Sequence, residues 1–222
     1  HLVPTAGDAF VNGTSVLKDF TTAAQSLGVV TQNNSLWSLL SVEQHLRLFA
    51  RLRGVPEGLL EEVVSSTLDQ MELRPHRAKL ACRLSGGMKR KLCVAISLIG
   101  DPAVVLLDEP SAGLDPKSRL NLWDVILRTM SHRCVVLTTH SLEEAEALCG
   151  RIGIMVKGQL RVLGTKQHLK NKFGSGYEIV IKLSQERMIA AAEAKAVAAA
   201  GSGEPDSTKD TENGVVSNQI HT

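Results

Sequence analysis

The sequence predicts an α/β protein built on a doubly wound, largely parallel sheet. "PAVVLLDEP" (102–110) and "CVVLTTH" (134–140) are unbroken aliphatic runs, and strands that are apolar on both faces belong to sheets buried on both faces. Each run is followed by a segment of helical periodicity, so the order is strand, helix, strand, helix, as in parallel crossover units. Hydrophobic residues make up 43% and charged residues 22% of the 222 residues, enough for one full domain or a domain with a tail.

The elements follow in order. "VPTAGDAFVNG" (3–13) sets turn residues between short β-prone pieces and predicts a hairpin or strand edge. "SLGVVTQ" (26–32) is a short apolar strand ending in a polar residue. At Ser41, followed three residues later by Gln44, a capping-box pattern opens a helix. Its apolar positions Leu46, Leu48, Phe49 and Leu52 recur at helical spacing, and Gly54 and Pro56 end it. "EGLLEEVVSSTLDQMEL" (57–73) reads as a second amphipathic helix, and a third starts just after Ser85 and runs to Gly100. Beyond the strand at 102–110, "PKSRLNLWDVILRTM" (116–130) is a helix with Pro116 in its first turn. After the strand at 134–140 come a helix at 141–151 and a hairpin at 152–164, turning at Lys157-Gly158. Residues 184–200 are an alanine-rich helical segment, and 201–222 have the composition of a disordered tail or linker.

Composition removes several classes of function. Aromatic residues are 3% of the chain, too few for platforms that stack single-stranded bases. The formal net charge of +2 is too small for a nucleic-acid surface. Lys89, Arg90 and Lys91 read as a solvated helix face near an anion site. Cys82, Cys93, Cys134 and Cys149 form no C-x-x-C pair and sit among apolar neighbours. They are expected to be small buried hydrophobes in a reducing compartment, with no zinc. No run of roughly 18 apolar residues reads as a membrane-spanning helix. The chain starts at His1 without an initiator methionine, which points to a piece of a longer chain.

Five short stretches could carry chemistry. "RLSGGMKRKL" (83–92) places Gly86 and Gly87 where a loop becomes a basic helix, an arrangement suited to holding a phosphate; Ser85 could equally just cap that helix. Asp108 and Glu109 sit at the C-terminal end of a strand, where ligands bind in open α/β sheets. Asp108 could hold Mg²⁺ and Glu109 could act as a general base, or Asp-Glu-Pro could simply end a strand. His140 ends the next strand, where a structural histidine is the commoner outcome. Asp115 in "SAGLDP" could be only an N-cap, and Gln32 after "GVVT" is unremarkable by itself.

Their joint order says more. Gln32, "LSGG", "VVLLDEP", "SAGLDP" and "VVLTTH" follow one another as in the nucleotide-binding domain of ABC transporters, which the chain resembles over residues 1–183. Met88 after "LSGG", the run "MKRKL", "SAGLDP" and "LKNKFGSGYEIVI" (169–181) resemble the A subfamily most. The resemblance implies a P-loop NTPase-like α/β fold with an inserted helical and signature subdomain at 33–100. It also implies ATP and Mg²⁺ as cofactors, and transport activity driven by ATP hydrolysis, with lipids as the subfamily's substrate. Gln32 then resembles the glutamine that touches Mg²⁺ and the attacking water. Ser85, Gly86 and Gly87 resemble the signature that grips the γ-phosphate of ATP held by the opposite domain. Asp108 resembles the Walker B aspartate and metal ligand, Glu109 the catalytic glutamate, Asp115 the D-loop aspartate, and His140 the switch histidine.

The implied partners are a second nucleotide-binding domain and transmembrane domains, at the cytoplasmic face of a membrane, and no nucleic acid. The phosphate-gripping G-x-x-x-x-G-K-[ST] occurs nowhere in the chain. "HLVPTAGDAF" resembles the segment just beyond the P-loop helix, so the N-terminal strands and P-loop are expected to be missing by truncation, and the stretch alone is expected to bind ATP weakly. A soluble ABC-type ATPase and a non-catalytic ABC module are the alternatives.

Overall fold

Asn12 and Gly13 turn the chain with φ of 48° and 79°, closing a hairpin between β1 (Phe10–Val11) and β2 (Thr14–Ser15). The asparagine-glycine pair tolerates the left-handed backbone that such a turn needs. The computed structural model describes residues 4–173. The alanine-rich segment, the tail and most of "LKNKFGSGYEIVI" lie outside the described residues. α1 (Phe20–Gln25) follows, capped by Asp19, and leads into β3 (Leu27–Val30).

α2 (Val42–Leu52) starts with the expected capping box: the Ser41 hydroxyl accepts from the Gln44 N–H, and Gln44 Oε1 accepts from the Ser41 N–H at 2.7 Å. Gly54, at φ 77°, follows its end. α3 (Leu60–Gln70) is shorter than the 57–73 predicted: residues 57–59 form a 3-10 turn, and Glu72, at φ 57°, turns the chain away. α4 (Gly86–Leu98), β4 (Val104–Asp108) and α5 (Pro116–Thr129) come next. Then come β5 (Cys134–Thr138), α6 (Leu142–Leu148), β6 (Ile152–Val156), β7 (Gln159–Gly164) and α7 (Lys166–Phe173). Lys157 and Gly158 make the left-handed turn of the β6–β7 hairpin, at φ 50° and 75°.

β3, β4 and β5 form a parallel sheet in that order, with Val30 opposite Leu107 and Leu107 opposite Leu137. Three parallel strands laid down in one direction carry their connecting helices on one face when the crossovers share one hand. The buried cluster lies there: Val30, Val105 and Leu107 share it with Leu92, Val94 and Ala95 of α4 and with Leu122, Val125 and Ile126 of α5. Leu46 of α2 and Leu68 of α3 extend it outward. α4 meets the sheet so closely that a Cβ on Gly28 would lie 2.3 Å from the backbone oxygen of Ser97.

Two expectations are corrected here. The strands are not buried on both faces among the described residues: Val29 is 53% and Val136 51% exposed, whereas Val105 is fully buried. Among the described residues α4 and α5 cover one face of β3–β5, and the other is exposed. The cysteines are not uniformly buried either. Cys82 and Cys134 are exposed, Cys93 and Cys149 are half-buried, and none is in a disulfide. Cys134 belongs to the open sheet face, opposite Val104.

Charged pairs tie the helices together. The Glu43 carboxylate accepts from Arg47 and Arg77, and Arg77 also reaches Glu61 at 2.8 Å, joining α2, α3 and the segment after α3. Glu72 accepts from Lys91 of α4 at 2.7 Å and from Asn121 and Arg128 of α5.

Candidate functional site

β4 and β5 end side by side, with Asp108 opposite Thr138, so the residues that follow leave the sheet at one point. The Thr138 hydroxyl donates to Asp108 Oδ1, and the Glu109 N–H donates to the Thr138 carbonyl at 3.0 Å. Glu109 takes a left-handed backbone, φ 48°, which costs a non-glycine residue energy and is retained where the surroundings fix it. That turn brings its carboxylate to His140, with Nδ1 2.6 Å from Oε2. Glu109's side chain is 20% exposed and His140's 80%. The Glu109 carboxylate holds the imidazole's pKa above the ordinary histidine value, through the hydrogen bond first and the charge second.

Gln32 lies in the bend after β3 and is exposed. Its carbonyl and that of Thr31 accept from Arg90, which also reaches the carbonyls of Asp108 and Glu109. The structure therefore brings the backbones at Gln32, Asp108 and Glu109 onto one anchor, with His140 against the Glu109 carboxylate. The basic run 89–91 is corrected at this point: Arg90 is 3% and Lys91 8% exposed, not a solvated face. Arg90 shares a helix face with Val94 and Ser97, at i, i+4 and i+7, both buried. That periodicity was the available signal for it.

Ser85, Gly86, Gly87 and Asp115 form a second group, at the adjoining N-termini of α4 and α5. Ser85 caps α4, its hydroxyl accepting from the Met88 N–H at 3.3 Å. Asp115 caps α5, its Oδ1 accepting from the Ser118 N–H at 3.0 Å. The Ser118 hydroxyl, followed by its N–H, lowers the Asp115 pKa. A Cβ on Gly87 would come within 3.0 Å of the Ser118 side chain, so the two helix starts touch where a larger residue would part them. Ser85 and Gly86 are exposed, and α4 presents its first N–H groups outward.

As donors, Asp108 and Gln32 offer oxygens suited to a hard cation such as Mg²⁺. Among the described residues no three histidine, cysteine or acidic side chains converge as a metal site. The donor set fits an ion whose remaining ligands are phosphate oxygens and water.

A family model described as ABC transporter matches residues 1–112. The phospholipid-transporting ATPase ABCA3 of Rattus norvegicus is 48% identical over 183 residues, covering 82% of this chain and 11% of that protein. ATP-binding cassette sub-family A member 2 of the same organism is 50% identical over 186 residues, 83% of this chain and 8% of that protein. The retinal-specific phospholipid-transporting ATPase ABCA4 of Homo sapiens is 47% identical over 184 residues, 82% of this chain and 8% of that protein. The chain thus spans about a tenth of the length of these curated relatives. Among solved structures, cbiO1 from Clostridium perfringens, part of the ABC transporter complex cbiONQ, shares the fold with a TM-score of 0.70 at 23% identity. That match covers 78% of this chain and 71% of the other.

Proposed function

Because this chain belongs to the ABC transporter family, we propose that Gln32, Asp108, Glu109 and His140 form the hydrolytic end of an ATP site. In the whole protein this site would drive movement of phospholipid across a membrane. The observation that carries the ATPase reading is the Glu109–His140 pair, 2.6 Å apart at the C-terminal end of a parallel sheet, with Asp108 beside it.

Phosphoryl transfer to water asks for an oriented nucleophile and compensated charge rather than covalent chemistry. Glu109 accepts the proton of the attacking water. His140, whose pKa the Glu109 carboxylate raises, faces solvent and contacts the γ-phosphate. Asp108, one oxygen of which accepts from Thr138, and Gln32 would hold Mg²⁺, which would neutralise charge on the phosphate oxygens. Ser85, Gly86 and Gly87 offer the N-terminus of α4 to the γ-phosphate of ATP carried by a second nucleotide-binding domain, and Asp115 lies beside them at the same interface.

The chain contains no G-x-x-x-x-G-K-[ST]; we assign the loop that grips phosphates on this side to the rest of the whole protein. We assign 33–100 as the helical and signature subdomain within 1–183. Among the described residues no helix is long and apolar enough to cross a membrane. From the family and the relatives we assign membrane domains to the whole protein and this chain to the cytoplasmic face. The lipid substrate rests on the relatives named as phospholipid-transporting ATPases.

The test is to reconstitute the whole protein in phospholipid vesicles and follow Mg²⁺-dependent ATP hydrolysis together with movement of a fluorescent phospholipid between leaflets. Lipid-dependent hydrolysis coupled to movement supports the reading. Hydrolysis without movement removes the transport part, and no hydrolysis removes both.

A further inference from the structure

Arg90 is the one cationic side chain of α4's basic run that hydrogen-bonds to backbone carbonyls. Its Nε donates to the carbonyl of Pro110 at 2.6 Å. Its Nη1 donates to Thr31 and Gln32, and its Nη2 to Asp108 and Glu109, over 2.5 to 3.1 Å. Five carbonyls from two loops that are far apart in sequence therefore converge on one guanidinium, itself 3% exposed. We propose that Arg90 is a positioning residue: it sets the backbone of the Gln32 loop and the Asp108–Pro110 loop in register and ties both to the helix that begins with Ser85, Gly86 and Gly87.

Only a planar fork with five N–H donors satisfies that many acceptors at fixed angles; a lysine ammonium has three donors on one atom. A carbonyl left without a donor in this buried spot would turn to find one, and each turn moves a side chain that the chemistry uses. The effect is sharpest at Glu109. Its left-handed φ of 48° is an unfavourable conformation for a glutamate, and the Arg90 bonds to the carbonyls of Asp108, Glu109 and Pro110 bracket that residue on both sides. Without them the backbone is free to relax to φ below zero, which swings the carboxylate away from His140. Arg90 also lies a little over one turn into α4 from Ser85, about 7.5 Å along the axis at 1.5 Å per residue. A displacement of the signature helix therefore moves the base and the glutamine together.

The catalytic consequence rests on the ATPase reading; the anchoring does not. Arg90→Lys and Arg90→Met are made in the whole protein and studied in two ways. Peptide-resolved hydrogen exchange is read for 27–36, for 104–114 and for the α3 control 60–70. Steady-state ATPase kinetics give kcat and KM. The expected result is exchange at least tenfold faster in both loop peptides and unchanged in the control. With it, kcat should fall on the order of 10–100-fold while KM for ATP shifts less than about threefold. Faster exchange in only one loop, in neither, or equally in the control overturns the proposal. So does a KM effect with kcat intact. If Arg90→Met does not accumulate, Arg90→Lys alone decides. Wild-type protein without ATPase activity but with the loop-specific exchange response would refute the ATPase reading and leave the anchor standing.

Discussion

Nδ1 of His140 and Oε2 of Glu109 lie 2.6 Å apart, a contact between the segments following two neighbouring parallel strands. If base and histidine act as one unit on the γ-phosphate, their removal is not additive. Glu109→Gln and His140→Ala should each lower ATP hydrolysis by the whole protein on the order of 10²–10³-fold. The double variant should be no more than several-fold worse than either. Multiplicative losses in steady-state assays would show that the two act independently.

Acid sensitivity should come from the helical region, not from the sheet. Arg77 and Arg47 hold the Glu43 carboxyl down at about 2, against an ordinary 4.5. Lys91, then Arg128 and Asn121, do the same for Glu72, also to about 2. A carboxylate whose pKa is depressed by folding adds stability that is complete above its unfolded value and lost as pH falls toward its folded one. Stability should therefore hold above about pH 5 and decline through the window from 4.5 to about 2. Glu43→Gln should cost on the order of 1–3 kcal/mol at pH 7. Glu72→Gln should cost about 1 kcal/mol or less, since Glu72 and Arg128 are 43% and 59% exposed. Both variants should flatten the acid slope in denaturant titrations run at several pH values; an unchanged slope would contradict the assignment.

Gly28 is where the sheet and α4 approach most closely. Alanine there would place its Cβ 2.3 Å from the Ser97 carbonyl oxygen, a backbone atom that cannot rotate aside, so Gly28→Ala should destabilise by about 1–3 kcal/mol or more. Gly58→Ala meets nothing within 4 Å and should stay within about 0.5 kcal/mol. Equal unfolding midpoints for the two variants would disprove the close contact.

Trp123 donates its indole N–H to Glu144 at 3.1 Å, and Glu144 is 1% exposed. Trp123→Phe keeps most of the packing but removes the donor, leaving a buried carboxylate short of a partner at a cost of about 1–3 kcal/mol. Glu144→Gln keeps an acceptor oxygen and should cost less. Chemical denaturation of both variants checks the order; the reverse order would rule out this hydrogen bond as the reason for Glu144's burial.

What sequence reveals here depends on whether a signal is local. The Ser41–Gln44 cap, the Lys157-Gly158 turn and the aliphatic strands all follow from neighbours within a few positions, and all are found. The one-sided cover of the sheet among the described residues was not legible, because burial depends on which elements pack on each face rather than on any strand's own residues. Glu72's left-handed turn shortened α3 for a similar reason: its partners Lys91, Asn121 and Arg128 come from later helices. In the candidate site, the residue types and their order along the chain were readable. That Arg90 would hold two of the loops was readable only as a faint periodicity, because charge argues for the surface until five carbonyls are known to wait for it.

The most direct test is a structure of the whole protein carrying Glu109→Gln, determined with ATP and Mg²⁺ bound. The account predicts a γ-phosphate within contact of His140, with Asp108 and Gln32 on the metal side, and Ser85–Gly87 against the γ-phosphate of a second ATP across a domain interface. Nucleotide bound away from the C-terminal ends of β4 and β5, or a signature segment that touches no phosphate, would contradict it.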